Sequence, residues 1–82
     1  MVTPREVRAA RALLGWTRQQ LADRAVVSLN SVIRFEQGAV DPRASTVNAI
    51  RRAIENAGIT FLSAWGDEEG VKIRKGEPQL GP

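Results

Sequence analysis

The chain has 82 residues, 43% of them apolar, which bounds it to one small domain with a modest core and marginal stability. It has no cysteine and no histidine, so disulfides, thiolate metal sites and imidazole chemistry are excluded. Its net charge of +3 is unevenly placed: residues 1–52 carry nine Arg against four acids, and residues 53–82 carry three bases against five acids.

Thr3-Pro4-Arg5-Glu6 is a strong helix start. Thr can cap, Pro fits the first turn, and Glu stands at the capping-box position. The first helix is predicted over Pro4–Leu14 and ends at Gly15, with Val7, Ala10, Leu14 and Arg11 facing inward. Trp16 is expected to cover the end of the core.

The stretch from Thr17 to Gly38 reads as two short helices joined by a tight turn. Thr17 with Gln20 starts the first of them, and Leu21, Ala22 and Ala25 share one face. Only Val26, Val27 and Ser28 separate the two. Ser28 can cap the second, predicted over 29–37, with Val32 and Phe35 on its inner side and Gly38 as its stop. Two helices with so short a link have the geometry of readers of the DNA major groove. The outer face of the second carries Asn30 and Arg34, four apart and so one above the other. Asn can pair bidentately with adenine, and Arg with guanine.

Residues 39–44, with Asp41-Pro42, are predicted as a loop holding Arg43. A helix is predicted over 46–57, capped by Ser45, with Val47, Ile50, Ala53, Ile54 and Ala57 as its stripe and Gly58 as its end. Arg51 and Arg52 lie off that stripe. Residues 59–65 and 71–75 then read as the strands of a β-hairpin, with the turn at 66–70. An isolated hairpin is barely stable, so it must pack on the last helix, pair with a second copy, or both. Residues 76–82 read as a tail. The expected organisation is a DNA-binding domain over 1–58, a packing or dimerisation element over 59–75, and that tail.

The segment from Leu13 to Gly38 resembles the Cro/C1-type (XRE) helix-turn-helix family, the group of the phage repressors. The residues that carry the resemblance are Leu21-Ala22, Val27-Ser28, Val32, Arg34, Phe35, Glu36 and Gly38. The resemblance spans residues 4–58 and implies a mainly α fold, four helices of the lambda-repressor type, here followed by the C-terminal β-hairpin. It implies base-edge contacts from Ser28, Leu29, Asn30 and Arg34. It implies phosphate contacts from Thr17, Arg18, Ser31 and Arg43, and an ion pair of Arg11 with Glu36 that ties the first helix to the third. One residue departs from the pattern: Val26 stands where the family usually has Gly. If the turn needs positive φ there, a β-branched side chain is strained.

The expected function is that of a transcriptional regulator, a repressor in the first instance, binding double-stranded DNA as a homodimer in the cytoplasm. The alternative is the antitoxin of a toxin–antitoxin pair, with a toxin protein as further partner. No catalytic residue, cofactor, metal or membrane contact is expected. The chain offers no paired-carboxylate constellation and no Gly-rich phosphate loop, and no apolar run nears the ~20 residues of a membrane span.

Overall fold

The structure is a computed structural model describing residues 2–38, 43–64, 66 and 68–74. Four helices lead into a two-stranded antiparallel sheet: α1 (Pro4–Leu14), α2 (Arg18–Ala25), α3 (Leu29–Glu36), α4 (Ala44–Asn56), β1 (Ile59–Phe61) and β2 (Val71–Ile73). Residues 39–42 of the predicted loop, residues 65, 67 and 75 of the predicted hairpin, and the predicted tail over 76–82 lie outside the described residues.

The helices begin where their caps dictate. The Thr3 hydroxyl accepts the N–H of Glu6, and the Glu6 carboxylate accepts the N–H of Thr3. Thr17 and Gln20 do the same for α2. The Ser28 hydroxyl accepts the N–H of Ser31 at the start of α3. Gly15, at φ 69°, ends α1 in the left-handed conformation that glycine adopts without steric cost.

The expectation for α4 needs correction. It starts at Ala44, two residues earlier than predicted, and Ser45 lies inside its first turn rather than capping it. Arg43 is the N-cap, in extended conformation and with no side-chain cap bond. The helix is held by burial of Ile50 and Ile54 rather than by a cap, so its start was not marked by a polar residue.

One core joins all the elements. Val7 and Ala10 of α1, Leu21, Ala22 and Ala25 of α2, Val32 and Phe35 of α3, and Ile50 and Ile54 of α4 meet Ile59 and Phe61 of β1. Ile59 and Phe61 are 0% exposed, so the hairpin closes the helical core instead of standing apart from it. Its strands are shorter than predicted. β1 stops at Phe61, and Leu62–Ala64 turn as a 3-10 helix.

The cause of that turn is a buried carboxylate. Glu6 is 1% exposed, and beyond its capping bond it accepts from the Ser63 hydroxyl at 2.7 Å, the Ser63 N–H at 3.2 Å and the Gly70 N–H at 2.9 Å. A buried carboxylate needs several donors, and the chain after Phe61 bends to supply them. At the surface of the same junction, Glu69 accepts from the Thr3 hydroxyl and pairs with Arg5.

Between α2 and α3, Val26 sits at φ 57°, ψ 47°, the left-handed region. The Val27 N–H reaches the Ala22 carbonyl at 3.0 Å and the Val26 N–H reaches that of Asp23 at 3.3 Å, the bonds of a Schellman ending. The turn therefore keeps the conformation that a glycine would favour, and the valine bears the strain with its side chain 88% exposed.

Val26→Gly relieves left-handed strain of ~1–2 kcal/mol and gives part of it back as unfolded-state entropy, for a net gain of ~0.5–1 kcal/mol. Thermal denaturation is expected to show a Tm several degrees higher, and an unchanged or lower Tm contradicts the strain. For Glu6, burial pushes the carboxyl up, but the bonds from Gly70, Ser63 and Thr3 outweigh it and hold it below its ordinary 4.5. A depressed folded value means a contribution that is complete above about pH 4.5 and lost as pH falls through the folded value. Glu6→Gln is expected to cost ~1–3 kcal/mol at neutral pH, with the gap to the parent shrinking in acid, read by urea denaturation at both pH values.

Candidate nucleic-acid interface

α3 is short and two-sided. Val32 and Phe35 are buried, whereas Leu29, Asn30 and Arg34 are exposed on the opposite side. Neither Asn30 nor Arg34 is hydrogen-bonded through its side chain to another described residue. The inward face is pinned to the core, so the outward residues project from a fixed support rather than from a loop.

What fixes the support is Glu36, the last residue of α3, which is 2% exposed. Arg11 of α1 meets it two-pronged, Nε to Oε2 at 2.7 Å and Nη2 to Oε1 at 2.9 Å. Arg18 of α2 adds Nε to Oε1 at 3.2 Å. Arg8 of α1 donates to the Glu36 backbone carbonyl, and Arg11 Nη1 also reaches the Trp16 carbonyl at 3.2 Å. One buried carboxylate thus ties α1, α2 and α3 together, and its forked partner fixes direction as well as distance. Arg18 is divided between two surroundings: its side chain is still 44% exposed.

The Ser28 hydroxyl lies 2.8 Å from that of Ser31 besides accepting the Ser31 N–H, so both serines are engaged with the start of α3. Thr17 is exposed at the start of α2. Its capping box uses the N–H groups of Thr17 and Gln20, which leaves those of Arg18 and Gln19 at the helix N-terminus. Arg43 is exposed at the start of α4. Trp16 packs half-buried against the core, with the Arg24 guanidinium 4.6 Å above its ring.

A helix-turn-helix family model matches residues 7–59, from within α1 to the first residue of β1. The chain belongs to the XRE (Cro/C1-type) helix-turn-helix family. It is a DNA-binding transcription regulator of that type, and double-stranded DNA is its partner. The family is not usually enzymatic. Comparison with curated proteins gives no significant match. No helix among the described residues is long and apolar enough to cross a membrane.

Sequence reasoning missed three parts of this support. Arg8 stands one turn before Arg11 on α1, a spacing that could have marked a second arginine for the end of α3, where it meets the Glu36 backbone carbonyl. The attachment of Arg18 to Glu36 had no sequence signal, because it depends on how α2 crosses α3. Nor did anything mark the stacking of Arg24 on Trp16.

The carboxylate at position 36 is expected to matter more than any one of its partners. Glu36→Ala leaves the Arg11 side chain, 18% exposed, without its counter-charge and is expected to cost ~3–5 kcal/mol. Arg18→Ala removes a partner whose side chain is nearly half in solvent and is expected to cost ~1 kcal/mol or less. Chemical denaturation of both variants checks the order, and a larger loss for Arg18→Ala contradicts it.

Proposed function

We propose that this regulator is a repressor that binds an operator as a homodimer, one α3 per half-site in adjacent turns of the major groove. The observation that carries the reading is the pair Asn30 and Arg34, exposed one helical turn apart on a helix whose other face is buried. In this reading Asn30 reads adenine and Arg34 reads guanine, and the exposed Leu29 meets a thymine methyl. Ser28, at the helix start, contacts a base edge through what its hydroxyl can offer beyond the Ser31 bonds.

Thr17 and Arg18 receive a backbone phosphate at the N-terminus of α2, where uncommitted N–H groups and the helix dipole both favour an anion. Ser31 and Arg43 are the other phosphate contacts. These contacts fix register but carry no sequence information. Two half-sites are needed because a single short helix spans few base pairs; a twofold dimer places them ~34 Å apart. A compact protein seated in the groove of a promoter excludes polymerase, which is the simplest route to repression, and it would act in the cytoplasm alongside the chromosome.

Binding measurements against a selected site and random duplex, over a range of salt, separate the roles. Arg34→Ala is expected to lose ~1–3 kcal/mol on the selected site and to relax preference at one base pair. Arg43→Ala is expected to weaken both duplexes alike and reduce the salt slope by about one. Identical behaviour of the two variants contradicts the division into base reader and phosphate anchor. A selected site lacking twofold symmetry contradicts the dimer on half-sites.

A further inference from the structure

Val26 burdens the fold in two ways. At φ 57° its β-branched side chain stands in the left-handed region, which suits glycine. At 88% exposure it also leaves apolar surface in water. Val27 beside it packs half-buried against the core, whereas Val26 is turned out. The bonds that close the turn run through backbone alone, from the Val26 N–H to the Asp23 carbonyl and from the Val27 N–H to the Ala22 carbonyl. The turn therefore needs no side chain at position 26. Strained backbone of this kind gathers at functional sites and ligand clamps.

The surroundings of Val26 narrow down what it meets. Among the described residues, the exposed large apolar side chains are Leu13, Val26, Leu29 and Ile73. Two of these, Val26 and Leu29, lie three residues apart where the link enters α3, on either side of its N-cap Ser28. Exposed apolar surface is thus concentrated at the tip from which the recognition helix starts. Two residues of chain span at most ~7 Å, so the Val26 Cα lies within about two base steps of whatever Ser28 touches.

We propose that Val26 is a specificity-determining residue whose γ-methyls meet the C5-methyl of a thymine in the major groove, beside the base pair met by Leu29. A valine side chain can neither hydrogen-bond a base edge nor pair with a phosphate. The thymine methyl is the apolar group that base pairs present in that groove. The deoxyribose is the other apolar surface of the duplex, and it carries no sequence information. A protein partner fits less well, because two side chains fall far short of the several hundred Å² that mark a protein-binding patch. The turn in this reading gives up stability to hold one more reader at the mouth of the groove. The proposal rests on the reading that α3 enters the major groove, and it adds a second apolar contact to that of Leu29.

The test uses duplexes selected by the wild type and remade with deoxyuridine in place of one thymine at a time, which removes a single methyl. Loss of a methyl from an apolar contact is expected to weaken binding about fourfold, from the transfer free energy of one carbon. Two thymines per bound copy are expected to respond in the wild type. One is expected to stop responding in Val26→Gly and in Val26→Ala, and the other in Leu29→Ala. Both Val26 variants are expected to bind the selected duplex about fourfold more weakly and random duplex unchanged. Val26→Ala keeps a Cβ in the left-handed turn, so agreement of the two variants ties the effect to the γ-methyls rather than to relief of strain. Thermal denaturation of the same preparations checks that Val26→Gly is no less stable than the parent.

Unchanged affinity of the Val26 variants overturns the proposal, as does an equal loss on selected and random duplex. A loss on the selected duplex with every thymine still responding as in the wild type overturns it too, and points to a deoxyribose. Arg34→Ala measured on the same duplexes keeps the two readings apart. If it relaxes the selected site while the Val26 variants match the wild type, the contact from Val26 falls and the recognition-helix reading stands. If the wild type does not distinguish selected from random duplex, both fall.

Discussion

The arrangement depends first on the carboxylate of Glu36, which faces Arg11 from α1 and Arg18 from α2 while its own backbone carbonyl receives Arg8. A buried ion pair adds little net stability, because desolvation offsets most of the attraction. Its contribution here is geometric. A forked arginine against a carboxylate tolerates little rotation, so the end of α3 is held at one angle to α1. The outer face of α3 inherits that angle, and with it the positions of Asn30 and Arg34.

A second buried carboxylate does the corresponding work for the hairpin. Glu6 caps its own helix and also gathers the backbone of Ser63 and Gly70, fifty-seven and sixty-four residues away in the chain. This fastens the hairpin across the start of α1 and lets Ile59 and Phe61 complete the core. The two acids are the only polar or charged residues counted as buried among those described, and each is surrounded by donors from elements distant in sequence. In so small a domain, apolar burial sets the stability and these two acids set the orientation of the pieces.

The positive charge is less directed toward DNA than its count suggests. Of the nine arginines in residues 1–52, Arg8 and Arg11 serve Glu36, Arg24 lies over Trp16, Arg51 pairs with Glu55, and Arg5 pairs with Glu69. Arg18 is shared between Glu36 and solvent. Arg34, Arg43 and Arg52 are exposed, and Arg34 and Arg43 are the ones the proposed reading uses. A charge total therefore predicts attraction to a polyanion, and only the partners of each arginine show which ones are free to provide it.

Local chemistry was legible in the residue order. Thr3, Thr17 and Ser28 mark helix starts because their hydroxyls satisfy N–H groups two or three residues away, and Val32 with Phe35 marks the inner side of α3 through simple periodicity. The exposure of Asn30 and Arg34 followed from that same periodicity. What depended on distant packing was not legible: the early start of α4, which no polar cap signals, the bend after Phe61, and the attachment of Arg18 to Glu36. Val26 lies between the two cases. The sequence showed that a β-branched residue occupied the turn, but whether the turn or the residue would yield was decided by Val27 and Ala22, whose bond closes only when Val26 is left-handed. Short-range hydrogen bonds are written in neighbouring residues, whereas the crossing of helices is decided by which buried charges must find partners.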